Sequence, residues 1–142
     1  MHKIKMKKRY PLGAGFVFVR NYHDINECRI LALSINGKYD LPKGEIEDLE
    51  TPIRTALREA QEEAGITSVE MPWGTRKLVL EHLTFFVGTT YDDPVIRPNP
   101  DNGIIEHDDA GWILLEDFED DCLSFLSPTV PWIRKIIKET IP

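Results

Sequence analysis

The stretch "GEIEDLETPIRTALREAQEEAGI" (residues 44–66) constrains this chain more than any other. It contains a helix with marked ends. Thr51 is a good N-cap, Pro52 suits the first helical position, and Gly65 is a natural stop. Between them Ile53, Ala56, Leu57, Ala60 and Ala64 recur at helical spacing and form one apolar stripe that must pack inward. The other side carries Glu59, Glu62 and Glu63 within an arc of about 100°, at about 100° per residue. Like charges at these spacings cost a helix roughly 0.2–0.5 kcal/mol per pair. Arg58 can bridge to Glu62 one turn away, but one guanidinium cannot neutralise three carboxylates.

Two accounts fit such a face. The first is an ordinary solvated acidic surface. The second is a site for a hard divalent cation such as Mg²⁺, which takes oxygen ligands and shares a substrate's phosphates. The approach to the helix favours the second account. It adds a further carboxylate, Glu50, and Lys43 directly before Gly44, with Pro42 stiffening the run. A lysine and loop amides beside a carboxylate-bound cation make a natural diphosphate site.

The rest of the chain reads as strands around two helices. Strands are expected over 13–20, 28–35, 76–82 and 83–90, the first two as a hairpin, with Asn36-Gly37 as a tight turn. Residues 41–50 read as loop, 110–118 as a strand running into a turn, and 127–140 as a terminal helix. This order lacks the regular alternation of a parallel α/β fold, so it points to a mixed sheet with helices on its faces. The segment 91–109 is rich in Pro, Asn and Asp, and loops this long in small domains are functional or mobile. At 142 residues the chain reads as one domain, residues 1–142, with the basic residues 1–9 as a flexible tail.

Charge narrows the partners. The net charge of −7 disfavours a nucleic-acid backbone as ligand unless the N-terminal lysines supply a local patch. No apolar run is long enough to span a membrane, and no signal-type stretch follows the basic start. Cys28 and Cys122 lack any metal spacing and read as reduced thiols. The expected setting is therefore cytoplasmic, with the chain a monomer or homodimer.

The box at 44–66 resembles that of the Nudix hydrolases: Gly, five residues, Glu, seven residues, Arg-Glu, an aliphatic, any residue, Glu-Glu, any residue, Gly, an aliphatic. Only Ala60 departs, being smaller than the usual aliphatic residue. The resemblance implies an α/β fold, an α/β/α sandwich around a mixed sheet. It implies a pyrophosphohydrolase that cuts a diphosphate bond in a nucleoside diphosphate linked to another moiety, with Mg²⁺ or Mn²⁺ as cofactor. Carried over, Glu59, Glu62, Glu63 and the Gly44 carbonyl are the metal ligands, with Glu59 either a ligand or the general base. Arg58 and Glu50 hold these carboxylates in place.

The family commonly adds an acidic residue from a later loop. Glu106 is the candidate here, with Asp108 and Asp109 as rivals. Lys43, Arg76, Lys77 and Phe85 are the expected substrate contacts. Arg97 is a further phosphate candidate, and Trp73, Phe86 and Trp112 are further stacking candidates. The segments "LPKGEIE" and "EH…W" are similar to those of the dinucleoside polyphosphate hydrolases, although "EHLTFF" stands where many of those carry a tyrosine. The competing readings are an enzyme acting on RNA 5′ ends and a Nudix-fold nucleotide-binding module without turnover.

Overall fold

A computed structural model describes residues 11–140, so the basic segment 1–9 lies outside the described residues. Among the described residues seven strands are present: β1 (Gly13–Arg20), β2 (Arg29–Ile35), β3 (Lys38–Asp40), β4 (Lys43–Glu45), β5 (Lys77–Leu80), β6 (Leu83–Gly88) and β7 (Asp109–Leu114). Three α-helices accompany them: α1 (Pro52–Ala64), α2 (Leu115–Asp121) and α3 (Thr129–Thr140).

The sheet is mixed. Its strand order is β3-β2-β1-β6-β5, with β4 also paired to β1 and β7 to β2. Strand β1 runs parallel to β6 from Gly13↔Leu83 to Phe18↔Gly88, and antiparallel to β2 and β4. Both faces of the sheet are covered, which explains why β1 is buried at nearly every position rather than at alternate ones. On one face Phe16, Phe18, Leu31 and Leu33 meet Ala56, Ala60 and Ala64 of α1. On the other, Val17, Ile30 and Phe85 meet Phe118 of α2 and Ile133, Ile136 and Ile137 of α3. This is the expected α/β/α sandwich.

Helix α1 begins and ends where its punctuation predicts. Thr51 accepts from the Arg54 amide, and Gly65 closes the helix at φ 68° in the left-handed region. The apolar stripe needs one correction. Leu57 is 39% exposed, and Thr55 is buried with its hydroxyl donating to Glu50. The three stripe alanines carry little bulk, so the helix lies flush on the sheet.

Three segments differ from the sequence reading. Residues 43–45, read as loop, form a short strand because β1 offers its edge to them. Residues 110–118, read as a strand running into a turn, are strand only to Leu114, and Leu115–Asp121 form α2. Leu115 and Phe118 are one turn apart and both buried, while Glu116 and Asp117 sit in the first turn, where the helix dipole favours them. The loop 91–108 is tied down at several points. The Asp92 carboxylate accepts from the amides of Thr67 and Ser68, Val95 N–H donates to the Ala64 carbonyl, and Asp108 N–H donates to Ser34. Both cysteines are free and buried. Among the described residues, no helix is long and apolar enough to cross a membrane.

Candidate active site

Strand β4 crosses the acidic face of α1. Gly44 makes that approach possible, because a Cβ there would overlap the Glu59 carboxylate. Its carbonyl oxygen lies on the β1 side, 2.9 Å from where a Gly13 Cβ would stand. The crossing opens a cavity of about 800 Å³ lined by Lys43, Gly44, Glu59, Glu62, Glu63 and Glu106, among others.

Arg58 organises one side of the cavity. Its Nε donates to Glu50 at 2.8 Å, and its terminal nitrogens reach Glu59 at 2.8 Å, Glu62 at 3.1 Å and the Glu45 carbonyl at 2.9 Å. One planar cation thus spans the loop, β4 and α1, a task suited to the forked geometry of arginine. Arg58→Ala should therefore strand three carboxylates at once. We expect a loss of about 2–4 kcal/mol in unfolding free energy, together with lower activity. Equilibrium urea unfolding checks the first, and an unchanged midpoint would contradict this role.

Glu63 is held differently. Its Oε1 accepts from the Lys43 backbone N–H at 2.7 Å, and its Oε2 stands 3.5 Å from His107 Nδ1. On the far side of the ring, His107 Nε2 lies 3.1 Å from Asp40, which also pairs with Lys43 Nζ at 2.8 Å. Glu106 arrives from the loop before β7, fixed by a hydrogen bond from Asn99 at 3.0 Å. Ligand atoms of Glu63, Glu106 and His107 all lie within 4.8 Å of one another.

Burial and Arg58 set the electrostatics of these carboxylates. Burial pushes the Glu59 carboxyl up to about 7, with Arg58 opposing the rise and Glu62 and Glu106 adding to it. Burial likewise pushes Glu63 up to about 8, against the Lys43 amide and His107. Glu50 moves the other way, down to about 2, chiefly through its hydrogen bond to Arg58. Clustered, partly buried carboxylates of this kind suit a hard divalent cation, and their oxygen donors match Mg²⁺ or Mn²⁺.

The signs give a pH profile for the metal-free protein. Glu50 contributes stability above its ordinary value of 4.5, and that stability is lost as pH falls toward 2. Glu59 and Glu63 bind protons more tightly in the folded state, so their contribution is lost as pH rises from about 4.5 through 7 and 8. Melting temperature in chelator should therefore peak near pH 5 and fall by pH 8. Saturating Mg²⁺ at pH 8 should raise it by about 5–10 °C, the effect of ligand at about a hundred times its Kd. A profile flat from pH 5 to 8 would contradict the shifts.

The structure brings together Lys43, Gly44, Glu59, Glu62, Glu63, Arg58, Glu106 and also Arg97 at this cavity, with Glu50 behind Arg58. Four expectations need correction. Phe85 has no exposed surface and packs in the core, because both sheet faces are covered. Arg76 pairs with Glu139 of α3, and Lys77 stands on β5; neither lines the cavity. Asp108 accepts from the Asn36 amide, away from the acidic cluster. The other aromatic candidates are likewise occupied: Phe86 is buried, Trp73 donates to Thr140, and Trp112 lies under Arg20.

Sequence reasoning did not assign roles to Asp40, Asn99, His107 and Phe125. The adjacency of His107 to Glu106 was the available signal for one of them. Phe125 lines a second cavity of about 830 Å³ with Leu80, Leu83 and Pro128. Lys43, Gly44 and Glu45 border both cavities, so the two adjoin.

An α/β sandwich with an acidic cleft at one helix face defines the class. The NUDIX domain model matches residues 13–139, and the chain belongs to the NUDIX family. Among solved structures, the fold is similar to a C. elegans Ap4A hydrolase in a binary complex, with a TM-score of 0.69 at 20% identity, covering 89% of this chain and 98% of that one. It is also similar to the MutT protein of Methanosarcina mazei Go1, with a TM-score of 0.65 at 18% identity over 94% and 99% of the two chains. A curated 8-oxo-dGTP diphosphatase of Proteus vulgaris is 37% identical over 60 residues, 42% of this chain. That match spans about half of the relative, 54% of its length.

Proposed function

We propose that this chain is a divalent-metal-dependent pyrophosphohydrolase acting on a nucleoside diphosphate linked to another moiety. The observation that carries this reading is the convergence of four carboxylates, Glu59, Glu62, Glu63 and Glu106, on one cavity beside Lys43. Glu59, Glu62 and Glu63 would hold Mg²⁺ or Mn²⁺. Bound there, the cation supplies charge neutralisation for the diphosphate and lowers the pKa of a water.

The chain's own groups do the rest. Arg58 keeps Glu59 and Glu62 in place, so the site needs little rearrangement for reaction. Lys43 and Arg97 line the cavity and would supply cations for the phosphates. The proton acceptor is Glu106. Glu59 and Glu62 are held by Arg58, and Glu63 by a backbone N–H, whereas the hydrogen bond to Glu106 comes from neutral Asn99. Glu106→Gln should lower kcat by about 10²-fold with KM nearly unchanged, since the base is lost and the phosphate clamp remains. A loss of metal affinity instead would make Glu106 a ligand, and no change in either would remove it from the site.

The adjoining apolar cavity takes the nucleoside. Its Leu80, Leu83, Phe125 and Pro128 offer the apolar walls a base requires, and Phe125 is the exposed aromatic among them. The C. elegans Ap4A hydrolase and a neighbouring Shewanella oneidensis NUDIX domain complexed with ADP ribose suggest which linked nucleotides to try. The test is a panel of dinucleoside polyphosphates, ADP-ribose, NADH, oxidised dNTPs and capped RNA, with Mg²⁺ present. Turnover of a linked nucleoside diphosphate supports the proposal. Turnover of capped RNA alone, or of nothing, overturns it.

A further inference from the structure

Asp40, Lys43, Glu63 and His107 form a closed ring. Asp40 ends β3, Lys43 opens β4, Glu63 lies in the last turn of α1, and His107 comes from the loop before β7. Asp40 meets Lys43 through the ammonium at 2.8 Å, and Lys43 meets Glu63 through its backbone N–H at 2.7 Å. Glu63 faces His107 Nδ1 at 3.5 Å, and His107 returns to Asp40 through Nε2 at 3.1 Å. Asp40 and His107 are both buried, and 67 residues separate them in sequence.

We propose that Asp40 is a positioning residue for Glu63, acting through Lys43 and His107 to fix how that carboxylate is offered to the metal. The inference rests on the metal reading above. Two features carry it. A carboxylate on the far nitrogen of a histidine fixes the ring's orientation, and here it aims Nδ1 at the Glu63 carboxylate rather than elsewhere. The same carboxylate anchors the lysine whose backbone amide holds Glu63 Oε1, so both oxygens of Glu63 are referred to one buried group. Structural satisfaction alone would not need this. Asp40 already accepts the Leu41 amide at 2.8 Å and the lysine, without the histidine.

The test is Mn²⁺ binding to the full chain, read from the free-ion electron paramagnetic resonance signal, which needs no turnover. Asp40→Asn and His107→Asn should each weaken Mn²⁺ binding by about tenfold, the scale for partners behind a metal ligand. The double variant should lose far less than the product of the two, because both act through one ring. Affinities within about twofold of wild type, or fully additive losses, overturn the inference. A lowered melting temperature with unchanged Mn²⁺ affinity also overturns it, since that marks a merely structural role. Should Asp40→Asn fail to fold, Asp40→Glu, which displaces the carboxylate but keeps its charge, takes its place on the same thresholds. A wild-type chain that binds no Mn²⁺ overturns the metal reading itself, and this inference with it.

Discussion

Glu63→Gln is expected to lower the rate of diphosphate hydrolysis by on the order of 10³-fold, with the fold intact. Metal stabilisation of phosphate charge is worth several kcal/mol, and each 1.36 kcal/mol is tenfold in rate. The side chain is 12% exposed at the centre of the site, between the Lys43 amide and His107. Glutamine keeps its shape and can still accept the Lys43 amide, but it lacks the charge that a divalent cation requires. The same change should stabilise the metal-free protein at pH 8, because it removes a buried carboxyl pushed up to about 8 by desolvation. Lower activity with higher metal-free stability separates a functional carboxylate from a structural one. Near-wild-type rates on the best substrate would contradict the assignment.

The helix and its acidic face were legible because their determinants are local. Thr51, Pro52 and Gly65 mark the ends of α1 within 15 residues, and the spacing of Glu59, Glu62 and Glu63 fixes their common side. The supporting ring was not legible. Asp40 and His107 meet only because β2 and its neighbours fold the chain back, and no spacing rule links positions 67 apart. Glu106 stood between these cases. Its place at the end of a long loop suggested the site, while the Asn99 bond that fixes it required the structure.

The phenylalanine candidates lie in the core for a different reason. In a sheet covered on both faces, an aromatic strand residue is buried whichever way it points, so Phe85 and Phe86 signal core rather than ligand. The aromatic side chain beside the site, Phe125, lies in a short 3₁₀ turn, where it is 46% exposed. Arg76 and Lys77 failed through strand placement. Lys77 opens β5, whose other end borders the second cavity, and α3 rather than substrate engages Arg76.

Hydrolysis of the best linked nucleotide with and without divalent cation tests metal dependence directly. The second large effect is expected here. Glu59 and Glu63 cannot both carry charge comfortably near neutral pH without a cation, since burial holds them at about 7 and about 8. Phosphate-bearing product should form steadily in Mg²⁺, cease in excess EDTA, and return when Mg²⁺ or Mn²⁺ is restored. The expected drop is at least on the order of 10³-fold, the same scale as for Glu63→Gln, because both remove the same stabilisation. Undiminished turnover in excess EDTA would contradict the account.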